Sequence, residues 1–262
     1  MRRRLGQHFL KSEAALEKIA AAARSHEGGV VIEIGPGHGE LTKHLIAGNA
    51  RVIALERDIS LARALEADEQ FSSIEIIQGD ALETFPALAL RLEKEKTPYV
   101  LIGNIPYYIT GHLLRVLGDN AYKPVRTVLL IQKEVAERIC AQPPRMNLLA
   151  AMIQAWGMPH LVLSVPRGSF APPPEVDSAV VTIETQQTGL SHKKLLGYFL
   201  FVRALFKHPR KTILNNLSEG TKLSRKEIVD RCGRIGVDPM GRPQTLLREE
   251  IAKLFRLFGG DL

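Results

Sequence analysis

Over the first two thirds of the chain, short β-branched runs alternate with stretches whose apolar residues recur at helical spacing. This alternation constrains the fold more than any other feature of the sequence. Residues 30–34, 51–56, 74–77, 99–102 and 127–131 read as buried strands bounded by Gly, Asp, Asn or Gln. Residues 40–46, 60–67 and 111–117 carry apolar residues at the helical period between them. A strand followed by a helix must cross over before it meets its neighbour, so the pattern predicts a parallel, doubly wound sheet with helices on both faces. Two further runs, 161–165 and 179–183, are joined by a proline-rich connection and predict a hairpin at the sheet edge, giving seven strands.

Beyond Gln186-Gln187-Thr188-Gly189 no strand-like run occurs, and helices are predicted over 195–206, 210–217, 225–232 and 246–258. The chain therefore divides into an α/β domain, 1–187, and a small all-helical domain, 188–262. Charge divides with it. Residues 1–184 hold 20 Lys and Arg against 21 Asp and Glu, and residues 185–262 hold 15 against 7, so the net +7 belongs to the helical part. Arg2, Arg3, Arg4 and Lys11 form a second basic run, with no acid before Glu13. Two basic segments flanking a near-neutral body suit a polyanion, because clustered cations release counterions condensed on phosphates; the alternative is a solvated basic surface.

No window approaches the roughly 18 apolar residues of a membrane span. The arginine run is followed by Leu5-Gly6-Gln7-His8 rather than an apolar signal core, so a cytoplasmic protein with no membrane contact is expected. Cys140 and Cys232 stand alone, without the second pair that a zinc site or disulfide framework requires, and no metal is expected.

Glu33-Ile34-Gly35-Pro36-Gly37-His38-Gly39 follows a predicted strand and opens a helix, where an open α/β sheet binds its ligand. A dinucleotide fingerprint would need glycine at position 40, which is Glu40, and Glu33 would repel a pyrophosphate while tolerating a cationic methionine group. Glu56 ends the second strand, where its carboxylate can accept from both hydroxyls of a ribose. Asp80, in Gln78-Gly79-Asp80-Ala81, ends the third and could accept from an adenine amine. Each acid alone more often caps a helix. Three successive strand ends bearing ligand-type residues make coincidence much less probable.

The fourth strand ends in Gly103-Asn104-Ile105-Pro106-Tyr107-Tyr108. An adenine N6 amine is a poor nucleophile because its lone pair is delocalised into the ring. The Asn104 side-chain oxygen and a neighbouring backbone carbonyl could each accept one N–H and favour a pyramidal nitrogen. Pro106 stiffens the turn, and Tyr107 could stack on a base withdrawn from its helix. Phe170 precedes Pro172-Pro173-Pro174, an extended segment that could present its ring as the opposite face of the base or could simply anchor it in the core.

With these residues the sequence resembles the ribosomal RNA adenine dimethyltransferases of the bacterial small-subunit type. Leu5 to Leu10, Glu33 to Gly39, Gly79-Asp80-Ala81, Gly103 to Tyr108, Gln132 to Arg138, Phe170 to Val180, Val202 to Phe206 and Arg210 to Leu217 carry the resemblance. It implies a class I, Rossmann-like fold and transfer of two methyl groups from S-adenosylmethionine to N6 of each of two adjacent adenosines. Those adenosines would lie in the 3′-terminal hairpin loop of small-subunit rRNA, in an assembling 30S-type particle, and the enzyme would be a monomer. By the same resemblance His8 and Leu10 would cover the cofactor, while Gly35, Gly37, Glu56, Asp80, Ala81 and Asn104 would bind or border it. Asn104 would hold the target amine, in the turn that Pro106 stiffens, with Tyr107 and Phe170 stacking on the base. His8 departs from the asparagine common at that position, and Pro143-Pro144-Arg145-Met146-Asn147 replaces a Lys- and Gly-containing stretch.

Macrolide-resistance methyltransferases, which modify an adenine of large-subunit rRNA, share Asn-Ile-Pro-Tyr. The stretch Pro172 to Val180 and the run Arg210 to Leu217 favour the small-subunit type. A non-catalytic assembly or transcription factor on the same fold would show decay of the pocket, and Glu56, Asp80 and Asn104 are all in place.

Overall fold

The computed structural model describes residues 7–23, 29–48, 50–187 and 190–260. The run Arg2, Arg3, Arg4, the Leu5-Gly6 start of the N-terminal motif and the domain boundary at Thr188 lie outside the described residues. In chain order the strands are β1 (Phe9–Leu10), β2 (Val30–Ile34), β3 (Arg51–Glu56), β4 (Glu75–Gln78), β5 (Tyr99–Asn104), β6 (Arg126–Gln132), β7 (Gly157–Val165), β8 (Phe170–Ala171) and β9 (Ser178–Thr185). Seven of them form one sheet in the order β4-β3-β2-β5-β6-β9-β7, while β1 and β8 pair as a separate antiparallel ribbon.

The sheet is mostly parallel: β2 lies between β3 and β5, β4 flanks β3, and β6 flanks β5, all in parallel, with β9 antiparallel to β6. The chain moves outward from β2 through β3 to β4 and then returns to β5 on the other side of β2. That reversal leaves a crevice at the strand ends. All five residues of β2 are buried, as a strand covered on both faces by helices requires. Val31, Val52, Val100, Ile102, Val128 and Leu130 pack there with Leu16 and Ile19 of the helix Glu13–Ala22 and with Leu41 and Leu45 of the helix Glu40–Ala47. Each such side chain, fully buried, contributes about 1.5–3 kcal/mol.

The edge pair is present as β9 and β7, but β7 starts at Gly157, four residues before the predicted run. Gly157 and Pro159 read as breakers in sequence. An edge strand tolerates them because its outer side needs no ladder bond.

Contacts group the chain into two compact units, Met1–Ala136 with Pro159–Thr185, and Glu137–Met158 with Gln186–Leu262. This differs from the sequence division at residues 137–158, which run on from the α/β part but group with the helical one. The helix Leu148–Ile153 packs on the helix His192–Leu205, and the Met146 N–H donates to the Gln244 carbonyl at 3.1 Å. The other helices of this unit include Ile213–Gly220, Arg225–Arg234 and Arg248–Phe258. Phe255 stacks edge-on against Tyr198 at 5.3 Å between ring centroids. The second predicted helix starts at Ile213 rather than Arg210, because the Thr212 hydroxyl accepts from the Asn215 N–H and caps it.

Candidate active site

The C-terminal ends of β2, β3, β4 and β5 open into a cleft of about 860 Å³. His8, Gly35, Gly37, Glu56, Asp80, Ala81, Asn104, Pro106, Tyr107 and Phe170 all line it. Leu10 does not. It is buried against the sheet and lines a smaller cavity of about 420 Å³, with Glu33 and Glu40.

The glycine turn owes its path to backbone that other residues rarely adopt: φ is +62° at Gly37 and +84° at Gly39. A Cβ on Gly37 would lie 2.9 Å from the Phe9 ring, and one on Gly39 would lie 2.2 Å from the Phe71 ring. The turn therefore brings bare backbone to the cleft. Its Gly37 N–H donates to Glu56 Oε2 at 3.2 Å, and the Asp58 N–H donates to Oε1 at 2.8 Å. Glu56 is only 3% exposed, and burial raises its pKa, opposed by these backbone donors. Each carboxylate oxygen keeps a lone pair for a further donor, as a vicinal diol would supply.

Asp80 takes the capping role: its Oδ1 accepts the Leu82 N–H at 2.9 Å at the start of the helix Ala81–Lys94. Its Oδ2 lies 3.4 Å from Arg57 Nη1, which also donates to the Tyr108 hydroxyl at 3.3 Å. Arg57 thereby links the tips of β3 and β5 at the mouth of the cleft. Sequence reasoning passed over Arg57 and Tyr108; the available signal was their position, immediately beyond Glu56 and Tyr107.

Asn104 ends β5, and a Cβ on Gly35 would lie 4.0 Å from its backbone oxygen. Its Nδ2 donates to the His8 carbonyl at 2.7 Å. A carbonyl demands a donor, so this bond fixes the orientation of the amide and turns Oδ1 away as the acceptor. His8 is itself held by the ribbon beside it, where Phe9 pairs with Ala171 and Leu10 with Phe170, and by Nδ1 at 2.9 Å from the Pro172 carbonyl. Pro106 opens the turn that carries Tyr107, closed by the Ile109 N–H on the Pro106 carbonyl at 3.0 Å. The Tyr107 hydroxyl meets the buried Ser178 Oγ at 2.8 Å, and its ring lies 6.0 Å from the His8 ring. Ser178 was not foreseen, since nothing local marks it. Phe170 lines the cleft, is 5% exposed and packs at the same time in the hydrophobic core.

Glu33 is buried behind the glycine turn and accepts from Thr42 Oγ1 at 2.7 Å. Burial, more than its neighbours Glu56 and Glu40, raises its pKa from about 4.5 to about 7. The folded state thus holds a proton that the unfolded chain releases, so stability falls as pH rises through that window. Replacing Glu33→Gln should flatten the decline in melting temperature between pH 5 and 8, measured by calorimetry. An unchanged slope would place the titration elsewhere.

A model of the family described as ribosomal RNA adenine dimethylase matches residues 1–254. The chain is 42% identical over 265 residues to a ribosomal RNA small subunit methyltransferase A of Dehalococcoides mccartyi, covering 99% of this chain and 89% of that protein. Among solved structures, a dimethyladenosine transferase from Plasmodium falciparum superposes with a TM-score of 0.80 at 26% identity, covering 97% of this chain and 99% of that one. The 23S rRNA methyltransferase ErmE superposes at 0.74 with 25% identity, covering 95% and 98%.

Proposed function

The chain belongs to the ribosomal RNA adenine dimethylase family, and on that premise we propose that it dimethylates N6 of two adjacent adenosines in the 3′-terminal hairpin loop of small-subunit rRNA, acting as a monomer on an assembling particle. The observation that carries this reading is the Asn104 amide, oriented by the His8 carbonyl and sharing one cleft with Glu56.

S-adenosylmethionine, when bound, supplies an electrophilic methyl. The residues fit it: the glycine turn admits close approach, and each Glu56 oxygen, held by one backbone N–H, keeps a lone pair for a ribose hydroxyl. Asp80 Oδ2 borders the same space and Ala81 allows an adenine ring to lie against it. Asn104 Oδ1 accepts one N–H of the target amine, which localises the nitrogen lone pair toward the methyl. Tyr107, pinned through its hydroxyl by Ser178, offers a ring face to the extruded base, and Phe170 forms the wall behind it. Transfer would form the C–N bond as the donor's S–CH3 bond breaks, and the amine, cationic once methylated, would then release a proton to water. The singly methylated amine still keeps one N–H, so the same Asn104 acceptor serves the second transfer. No general base is needed, since the proton leaves after the bond has formed.

Outside the cleft, the excess of Lys and Arg in residues 185–262 supports RNA-backbone binding by the helical unit. No helix among the described residues is long and apolar enough to cross a membrane.

Labelled donor offered separately to unmethylated small and large ribosomal particles tests the reading. Label should enter the small particle alone, at two neighbouring adenosines mapped by reverse-transcription stops. Label in the large particle would instead support the activity named for ErmE, and donor binding without incorporation would leave a non-catalytic factor.

A further inference from the structure

Outside the cleft, a polar network spans the turn 206–212 and the helix Ile213–Gly220 that follows it. Asn216 is completely buried, and its side chain serves four backbone groups. Oδ1 accepts the His208 N–H at 2.9 Å, and Nδ2 faces the carbonyls of His208 and Thr212 at 3.1 Å and of Lys211 at 3.5 Å. A buried amide satisfied in this way fixes the path of the turn.

The turn carries Lys207, His208, Arg210 and Lys211, and three of these converge on one carboxylate. Lys211 Nζ lies 2.6 Å from Glu219 Oε1, while His208 Nε2 and Lys207 Nζ lie 3.0 and 3.6 Å from Oε2. Hydrogen bonding from Lys211 is the largest influence lowering the Glu219 pKa, to about 2. Within residues 203–226, seven Lys and Arg stand against Glu219 as the single acid. Asn215, one helical turn before Glu219 on the same face, accepts from Arg225 Nη1 at 3.1 Å, so the basic strip continues along the helix.

We propose that the Lys207–Lys211 turn is a binding site for one phosphate of the RNA backbone, preassembled by Asn216 and filled by the Glu219 carboxylate until RNA displaces it. The inference rests on the reading that the helical unit contacts rRNA. Glu219 presents two oxygens to converging donors, as the non-bridging oxygens of a phosphodiester would. Exposed ion pairs of this kind are weak, so exchange for a phosphate costs little. In the free protein the carboxylate keeps like charges gathered. It also discriminates, because a single stray phosphate must compete with it while an RNA that brings several phosphates in register displaces it readily.

The full-length protein should be titrated with unmethylated small ribosomal subunits over a range of KCl concentrations, with thermal melting to confirm folding. Glu219→Gln should tighten binding about threefold and steepen the salt slope by up to about one. Asp230→Asn, an equal charge change on the exposed side of the helix Arg225–Arg234, should do less. A double Lys207→Gln, Lys211→Gln variant should weaken binding and flatten the slope. If the lysine variant weakens binding but Glu219→Gln weakens it too, or merely equals Asp230→Asn, Glu219 is a brace and the stand-in proposal fails. If the lysine variant binds with wild-type affinity and slope, the turn does not face RNA, and the reading beneath the proposal falls with it.

Discussion

Replacing Asn104→Ala should lower methyl transfer by about 10²–10³-fold, the range seen when one preorganised hydrogen-bonding group is removed from a reacting centre, with RNA binding largely kept. Two functions are lost together, the Oδ1 acceptor and the Nδ2 donor that holds the His8 carbonyl. Asn104→Asp separates them, because it retains an acceptor oxygen while the donor gives way to a carboxylate oxygen that repels the His8 carbonyl. Single-turnover incorporation should therefore rank wild type above Asp and Asp above Ala. Equal loss in both variants would shift the role from accepting the amine to anchoring His8. Wild-type turnover in the Ala variant would remove Asn104 from the chemistry.

Gly103→Ala should be among the most damaging substitutions that add only a methyl group. A Cβ there would lie 2.7 Å from the Ile34 carbonyl oxygen and 2.8 Å from Ile105 Cδ1. Backbone cannot rotate away as a side chain can, and Gly103 is paired with Ile34 in the ladder between β2 and β5. The two strands must spread where one carries the glycine turn and the other carries Asn104. Overpacking of this kind costs about 1–3 kcal/mol, and in a protein of this size each kcal/mol lowers the melting temperature by roughly 2–4 °C. Calorimetry should show a drop of several degrees, accompanied by reduced transfer at permissive temperature. An unchanged melting temperature would mean that the strands yield at no cost.

The sheet was legible because β2, β3, β5 and β6 are covered on both faces and so are written as unbroken β-branched runs. Legibility failed where tertiary position overrides local preference, as in β7, whose Gly157 and Pro159 are acceptable only because the strand lies at the edge. Residues 137–158 were assigned with the α/β part because they continue it in sequence; their grouping follows from contacts such as Met146 with Gln244, almost a hundred residues on. The same division runs through the cleft. Glycines, acids and Asn104 at strand ends announce themselves by type and position. The partner of Tyr107 lies 71 residues away at Ser178, and that of Tyr108 lies 51 residues away at Arg57, and both are ordinary residues in their own surroundings. Phe170 was the ambiguous case, since a ring before a triple proline suits a core anchor as well as a base platform, and it both packs in the core and lines the cleft.

The ribbon of β1 and β8 ties residues 9–10 to residues 170–171, and the amide of Asn104 takes its direction from the segment that this ribbon holds. The direction of that amide therefore depends on the closure of a loop that spans most of the α/β unit, so a residue far along the chain governs the geometry at the tip of β5.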